Sequence, residues 1–121
     1  MVRVKTFGEC LREFRENKGL SQGQLGEEVK RKTMTISLIE NGKNNPPNGK
    51  LLEDLIRVLK LDEKEANTLR NLSAIERNEL PNDISIYIKK NMDIFDTIRR
   101  GMKQNKKSTD WENVFKGAKE L

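Results

Sequence analysis

LSQGQLGEEVKRKTMTISLIENG, residues 20–42, is the stretch whose reading decides the fold. It divides into two short helices joined by a tight, basic turn. Ser21 with Gln24 three residues on is a capping-box signature, in which side chains at a helix start satisfy its free backbone N–H groups. Leu25 and Val29, at i and i+4, give the first helix an inward stripe. Ile36 and Ile39, at i and i+3, do the same for the second. Asn41-Gly42 then ends it, with glycine suited to the left-handed cap. Between the two stand Lys30, Arg31 and Lys32.

The same grammar extends outward. Thr6 with Glu9 opens a first helix, and Phe7, Leu11 and Phe14 lie on one face of it. Cys10 sits beside that face as a small core residue, and Gly19 supplies the stop. After residue 42, Asn44-Asn45-Pro46-Pro47-Asn48-Gly49 is the strongest breaker cluster in the chain. Leu52, Leu55, Ile56 and Leu59 then form a fourth apolar stripe. Asp62 with Glu65 caps a fifth helix carrying Ala66, Leu69 and Leu72. Short helices with brief connections over about seventy residues predict a compact all-α domain at 1–75, followed by a small helical C-terminal extension at 76–121.

The extension is less regular. Ile84-Ser85-Ile86-Tyr87-Ile88 alternates with period two, as a strand would. A lone strand would leave its backbone groups unpaired, and Pro81 suits a first helical turn, so a helix is expected. Ile94, Ile98 and Met102, with Phe95 alongside, mark a clearer amphipathic helix. Residues 103–109 read as a polar, basic linker. Asp110 is a candidate cap for a last helix whose stripe is Trp111, Val114, Phe115 and Ala118.

Composition narrows the function classes. Charged residues make up 36% and aromatics 5% of 121 residues, so the core must be lean and aliphatic, a condition that oligomerisation commonly remedies. With no histidine and one cysteine, zinc sites, histidine-based catalysis and a disulfide framework are not expected. No cofactor is expected either. The start lacks the apolar core of a signal peptide, and no apolar run approaches the ~18 residues of a membrane span. A cytoplasmic protein without a membrane partner is the expectation. No paired-carboxylate or nucleophile motif appears, and Gly49-Lys50 alone is no phosphate loop, so no enzyme is expected.

Charge placement points elsewhere. Residues 1–88 carry 15 basic and 14 acidic side chains, whereas residues 89–107 carry 7 and 2. Attraction to a polyanion within the first region must therefore come from local clusters such as residues 30–32. A helix that enters a major groove must be short and exposed on one side. With Ile36 and Ile39 inward, Lys32, Thr33, Met34, Ser37 and Leu38 face outward or near the groove. Ser21 and Gln22 stand at the start of the preceding helix, where free N–H groups favour a phosphate oxygen. Lys30, Arg31, Lys43, Asn44 and Asn45 supply cations and amides for backbone phosphates. Such a segment is how a helix-turn-helix reader of double-stranded DNA looks in sequence.

The segment resembles the lambda-repressor/Cro-like helix-turn-helix family of prokaryotic and phage transcriptional regulators. The matching residues are Leu20-Ser21-Gln22, Leu25, Val29, Ile36-Ser37, Ile39-Glu40-Asn41-Gly42-Lys43 and Asn45-Pro46. Leu52, Leu55, Ile56, Val58, Leu59 and Leu61 extend the match, which spans roughly residues 7–74. The resemblance implies a recognition helix at 32–41 whose Thr33, Met34, Ser37 and Leu38 meet base edges. Gln22 would contact a phosphate and buttress the start of that helix, while Asn41, Lys43 and Asn45 hold the backbone after it. Glu40 would instead tie the domain together through an internal salt bridge with Arg12 or Arg15. A sequence-specific regulator acting as a homodimer, in most cases a repressor, is the implied function. Its dimer surface would include Ile84, Ile88, Ile94, Phe95, Ile98 and Met102.

Two departures stand out. The family pattern places glycine, an apolar plug and a cap at the turn, where this chain has Lys30, Arg31 and Lys32. Arg31 can fill the plug position only with its head group reaching out to solvent, and Thr33 is a candidate replacement cap. Met34 and Leu38 can pack on thymine methyls but offer no bidentate bond to a base. A reading from a different class is an antitoxin-like or adaptor protein whose C-terminal tail binds a protein partner, with Trp111, Val114, Phe115 and Ala118 as the docking stripe.

Overall fold

The computed structural model describes residues 4–120, with side chains through residue 116. Among these residues the regular structure is helical throughout, with eight helices and no strand. They are α1 (Phe7–Asn17), α2 (Gln22–Glu28), α3 (Thr33–Glu40), α4 (Gly49–Val58), α5 (Glu63–Glu76), α6 (Asn82–Lys90), α7 (Ile94–Lys103) and α8 (Ser108–Glu120). The chain divides into two compact units, Met1–Asn82 and Asp83–Leu121.

Local chemistry sets the helix starts in the first unit. Thr6, Ser21 and Asp62 each accept the backbone N–H three residues on, and the Glu9, Gln24 and Glu65 side chains each reach back to the cap's own N–H. All three capping boxes expected from sequence therefore form. Helix ends follow one rule as well. After α1, Gly19 N–H donates to Glu16 O and Leu20 N–H to Arg15 O. After α3, Gly42 N–H donates to Ile39 O and Lys43 N–H to Leu38 O. This paired closure requires a left-handed residue just past the helix, and Gly19 and Gly42 supply it with φ of 71° and 75°.

Between α1, α2, α3, α4 and α5 lies one aliphatic core. Phe7, Leu11, Leu25, Ile36, Leu55, Leu59 and Leu69 are fully buried, and Val29, Ile39, Leu52 and Ala66 close around them. Each such side chain contributes roughly 1.5–3 kcal/mol on leaving water. Cys10 belongs to this core, and its burial pushes the thiol up from its ordinary value. Fully buried Ser73 donates to Pro47 O at 2.6 Å, which pins the breaker segment between α3 and α4 onto α5.

The second unit is built differently. Ile84-Ser85-Ile86-Tyr87-Ile88 lies within a helix, in line with the argument from unpaired backbone groups. Gly101 is the one buried residue among those described there. Trp111 lies across it: a Cβ at position 101 would meet Trp111 Cζ2 at 2.5 Å. The connection between α7 and α8 is shorter than the linker expected at 103–109, because Lys103 ends α7 and Ser108 opens α8. Asp110 does not stand at the cap position either. It lies inside α8, and its carboxylate accepts the Lys107 backbone N–H at 2.8 Å.

Candidate nucleic-acid interface

The turn between α2 and α3 begins where α2 closes. Val29 caps the helix, Lys30 takes φ 59°, and Arg31 N–H donates to Gly26 O at 2.8 Å. A lysine thus occupies the left-handed position that glycine fills after α1 and α3. Arg31 turns its guanidinium back over the end of α2, where Nη1 donates to Lys30 O at 3.1 Å. A cation at the carbonyl end of a helix is favoured by the helix dipole. No apolar plug is needed, because the chain's own backbone fills the gap. Arg31 O sits so close to Gly26 that a Cβ there would lie 2.7 Å from it.

Lys32 is the N-cap of α3, with extended backbone and no side-chain cap bond. Thr33 therefore does not take over capping; it is the first helical residue. The helix is one residue shorter at each end than the expected 32–41, since Lys32 and Asn41 are its caps. Ile36 and Ile39 are buried as the spacing required. On the other side Thr33 and Met34 are exposed and Ser37 and Leu38 half-buried. Met34 is the most open of the apolar set, with 67% of its surface accessible. Asn41 Nδ2 donates to Ser37 Oγ at 3.3 Å, so two of the expected contact residues hold each other. Lys43, Asn44 and Asn45 are exposed in the segment after α3, and the Lys43 and Asn44 N–H groups both donate to Leu38 O.

A buried polar network fixes α3 from behind. Arg15 Nε donates to Glu40 Oε2 at 2.7 Å and Nη2 to Glu40 Oε1 at 3.0 Å, a two-pronged pair. Arg15 Nη1 also donates to Leu20 O at 2.8 Å, and the Glu40 bond holds the guanidinium pKa above its ordinary value. Arg15, not Arg12, is thus the partner of Glu40; Arg12 pairs with Glu16 at the surface. Gln22 Nε2 completes the network by donating to Glu40 Oε1 at 3.0 Å. That corrects the point at which Gln22 buttresses α3. It secures the C-terminal end of α3, not the start, because Glu40 is the acceptor within reach of the α2 N-terminus. Ser21 is committed to its capping box.

Sequence reading missed two close approaches. Gly8 in α1 lies against the end of α3, where a Cβ would meet Glu40 O at 2.4 Å and Ile39 O at 2.5 Å. The Phe7 N–H is taken by Glu76 Oε2 at 2.6 Å, from α5. A glycine at a helix's second position was the available signal for the first. Nothing local signalled the second, which links residues far apart in sequence.

A family model described as a helix-turn-helix domain matches residues 6–69, more than half of the chain. The chain belongs to the helix-turn-helix domain family. No curated protein and no solved structure matches it. Helix-turn-helix membership supports DNA binding and a place in transcription regulation, and it is generally non-enzymatic. The helix-turn-helix segment itself is α2, the 29–32 turn and α3. Among the described residues no helix is long and apolar enough to cross a membrane, and no cluster of metal-binding side chains occurs.

Proposed function

We propose that the protein is a sequence-specific regulator of the lambda-repressor/Cro-like kind, a repressor that reads the major groove of double-stranded DNA with α3. One observation carries the reading. α3 offers Thr33, Met34, Ser37 and Leu38 on its open side, while Lys30, Arg31, Lys32 and Lys43, at its two ends, have no ion-pair partner among the described residues. Elsewhere in the same unit Lys5, Arg12, Arg15, Lys50, Arg57, Arg70 and Arg77 are each engaged by a carboxylate, and Lys18, Lys60 and Lys64 are open but single, so the cluster of open cations is the one around α3. Cations left open beside a short exposed helix are what phosphate contacts around a groove require. Asn41, Asn44 and Asn45 are the amides that would hold the backbone after α3.

The apolar Met34 and Leu38 set the balance of this reader. They can meet thymine methyls, while Lys32, Ser37 and Asn41 supply polar contacts, so affinity leans on the backbone more than on base edges. We further propose a homodimer, working in the cytoplasm on half-sites about 34–36 Å apart. Of the expected dimer surface, Ile84 and Met102 are exposed and Ile88, Ile94, Phe95 and Ile98 half-buried, and the thin interior of the second unit favours a covering partner.

Selection of bound sequences from random duplexes tests the reading. A recovered motif with two-fold symmetry is the expected result; no enrichment at all would sink it. Arg31→Ala with Lys32→Ala should weaken binding to every sequence and flatten the salt slope by up to ~0.9 per lost phosphate contact. Ser37→Ala or Leu38→Ala should instead change the preferred sequence.

A second reading, a protein partner held by the tail, is favoured by Val114 and Phe115, which stay 63% and 68% exposed on α8. Trp111 is partly used against Gly101, and the Ala118 side chain lies outside the described residues. A stoichiometric partner lost on deleting residues 108–121, with DNA binding intact, is the outcome this reading requires.

A further inference from the structure

We propose that the cation run at 89–107 is a second, sequence-independent contact to DNA phosphates, a clamp on duplex flanking the site read by α3; this rests on the DNA-reading function above. The run carries seven cations against two carboxylates. Arg99 is paired with Asp96. Lys89, Lys90, Arg100, Lys103, Lys106 and Lys107 are all exposed and have no ion-pair partner among the described residues. In the first unit, by contrast, several surface cations are balanced on their own helix: Arg12 with Glu16 and Lys50 with Asp54, opposite charges four residues apart. Around the end of α7 the neighbours are instead alike. On α7, Arg99 and Lys103 stand four apart and Arg100 and Lys103 three apart, like-charge spacings that are unfavourable on a helix, and Lys106 and Lys107 follow in the connection to α8.

The local setting keeps these charges available. Arg100 and Lys106 border a hollow of about 210 Å³ against Trp111, with Thr97 and Gln104 on its rim. Its one acid, Asp110, accepts the Lys107 N–H and sets one negative charge against the two cations. The dipoles of α6 and α7 favour Lys89, Lys90, Arg100 and Lys103 in their last turns, but Lys106 and Lys107 stand just before α8, where a dipole disfavours cations, so the run as a whole is left for an anion outside the unit. A duplex is the polyanion at hand. It carries one charge per ~1.7 Å, and once α3 is docked the tethered second unit meets it at an effective concentration of order mM.

The test uses the full chain and a duplex of about 30 base pairs. Lys103→Gln/Lys106→Gln/Lys107→Gln should lower the slope of log K against log salt by up to ~2.7, and raise Kd about 10-fold at ~0.1 M salt for any sequence. Lys89→Gln/Lys90→Gln, on α6, should lower the slope by up to ~1.8 and guards against a local defect at α7. If both variants keep the parent slope while Arg31→Ala/Lys32→Ala reduces it, the clamp is overturned and the reading helix stands. If the full chain binds no duplex, both fall. If the two variants lose a polyglutamate peptide but not DNA, the patch serves an acidic protein and the clamp is again overturned.

Discussion

Lys30 is the residue where the turn departs most from what backbone sterics favour. At φ 59° its Cβ crowds the following carbonyl, which for an L-residue costs roughly 1–2 kcal/mol. Lys30→Gly relieves that crowding at some cost in chain entropy, so a net gain of about 1 kcal/mol is expected in a urea melt. The same change removes an open cation beside α3. Duplex affinity should therefore fall while stability rises, a split that mere repair of a strained turn would not produce. Glu40 behaves oppositely. Its carboxylate receives Arg15 twice and Gln22 once, with 1% of the side chain exposed. Glu40→Ala leaves a buried guanidinium with only the more distant Glu16 carboxylate, at 3.8 Å, and breaking a buried pair costs roughly 3–5 kcal/mol. The expectation is the lower end, about 3 kcal/mol, because Leu20 O still accepts from Arg15. A loss under about 1 kcal/mol would mean the pair is no better than a surface one.

Helix ends and helix contacts decide how firmly α3 is held. Gly8→Ala introduces a Cβ into a space already filled by the Ile39 and Glu40 carbonyls. Intrinsic propensity favours alanine by about 1 kcal/mol, so any net loss measures the clash. We expect at least ~2 kcal/mol of destabilisation, with duplex binding weakened because the end of α3 must shift. Between α4 and α5, Arg70 donates twice to Glu53 and holds its carboxyl below the usual range. A lowered carboxylate pKa adds stability that is present above the unfolded value, near 4.3, and is lost as pH falls through the folded one. Glu53→Gln should therefore flatten the acid limb of a melting-temperature profile below pH ~4, by well under 1 kcal/mol since the pair is half-exposed. These elements also show what could be read in advance. Capping boxes and the Leu25, Ile36 and Leu55 stripes are local, so they were legible. Gln22 reaching Glu40, Gly8 against α3, and Lys30 in the left-handed position depend on how the helices meet, and no short window of sequence encodes that.

The two compact units divide stability unequally, and one side chain can report it. The first buries a continuous aliphatic core from Phe7 to Leu69. The second offers Gly101 under Trp111, with Ile86, Tyr87, Met92, Met102, Val114 and Phe115 left exposed. A unit of that size with so little interior is marginal alone. Trp111 is the chain's single tryptophan, so its fluorescence follows the second unit, whereas far-UV circular dichroism is weighted towards the more extensive helices of the first. In a urea titration the fluorescence midpoint should precede the dichroism midpoint. If a second copy covers the exposed apolar side chains, as proposed, mass action adds a further signature: the fluorescence midpoint rises with protein concentration while the other stays put. Coincident midpoints at every concentration would show a single cooperative unit and remove the argument for a separately stabilised dimer surface. Added duplex discriminates further. If the 89–107 cations clamp DNA, saturating duplex should raise the Trp111 midpoint as well as that of the first unit, and Lys103→Gln/Lys106→Gln/Lys107→Gln should abolish the first effect alone.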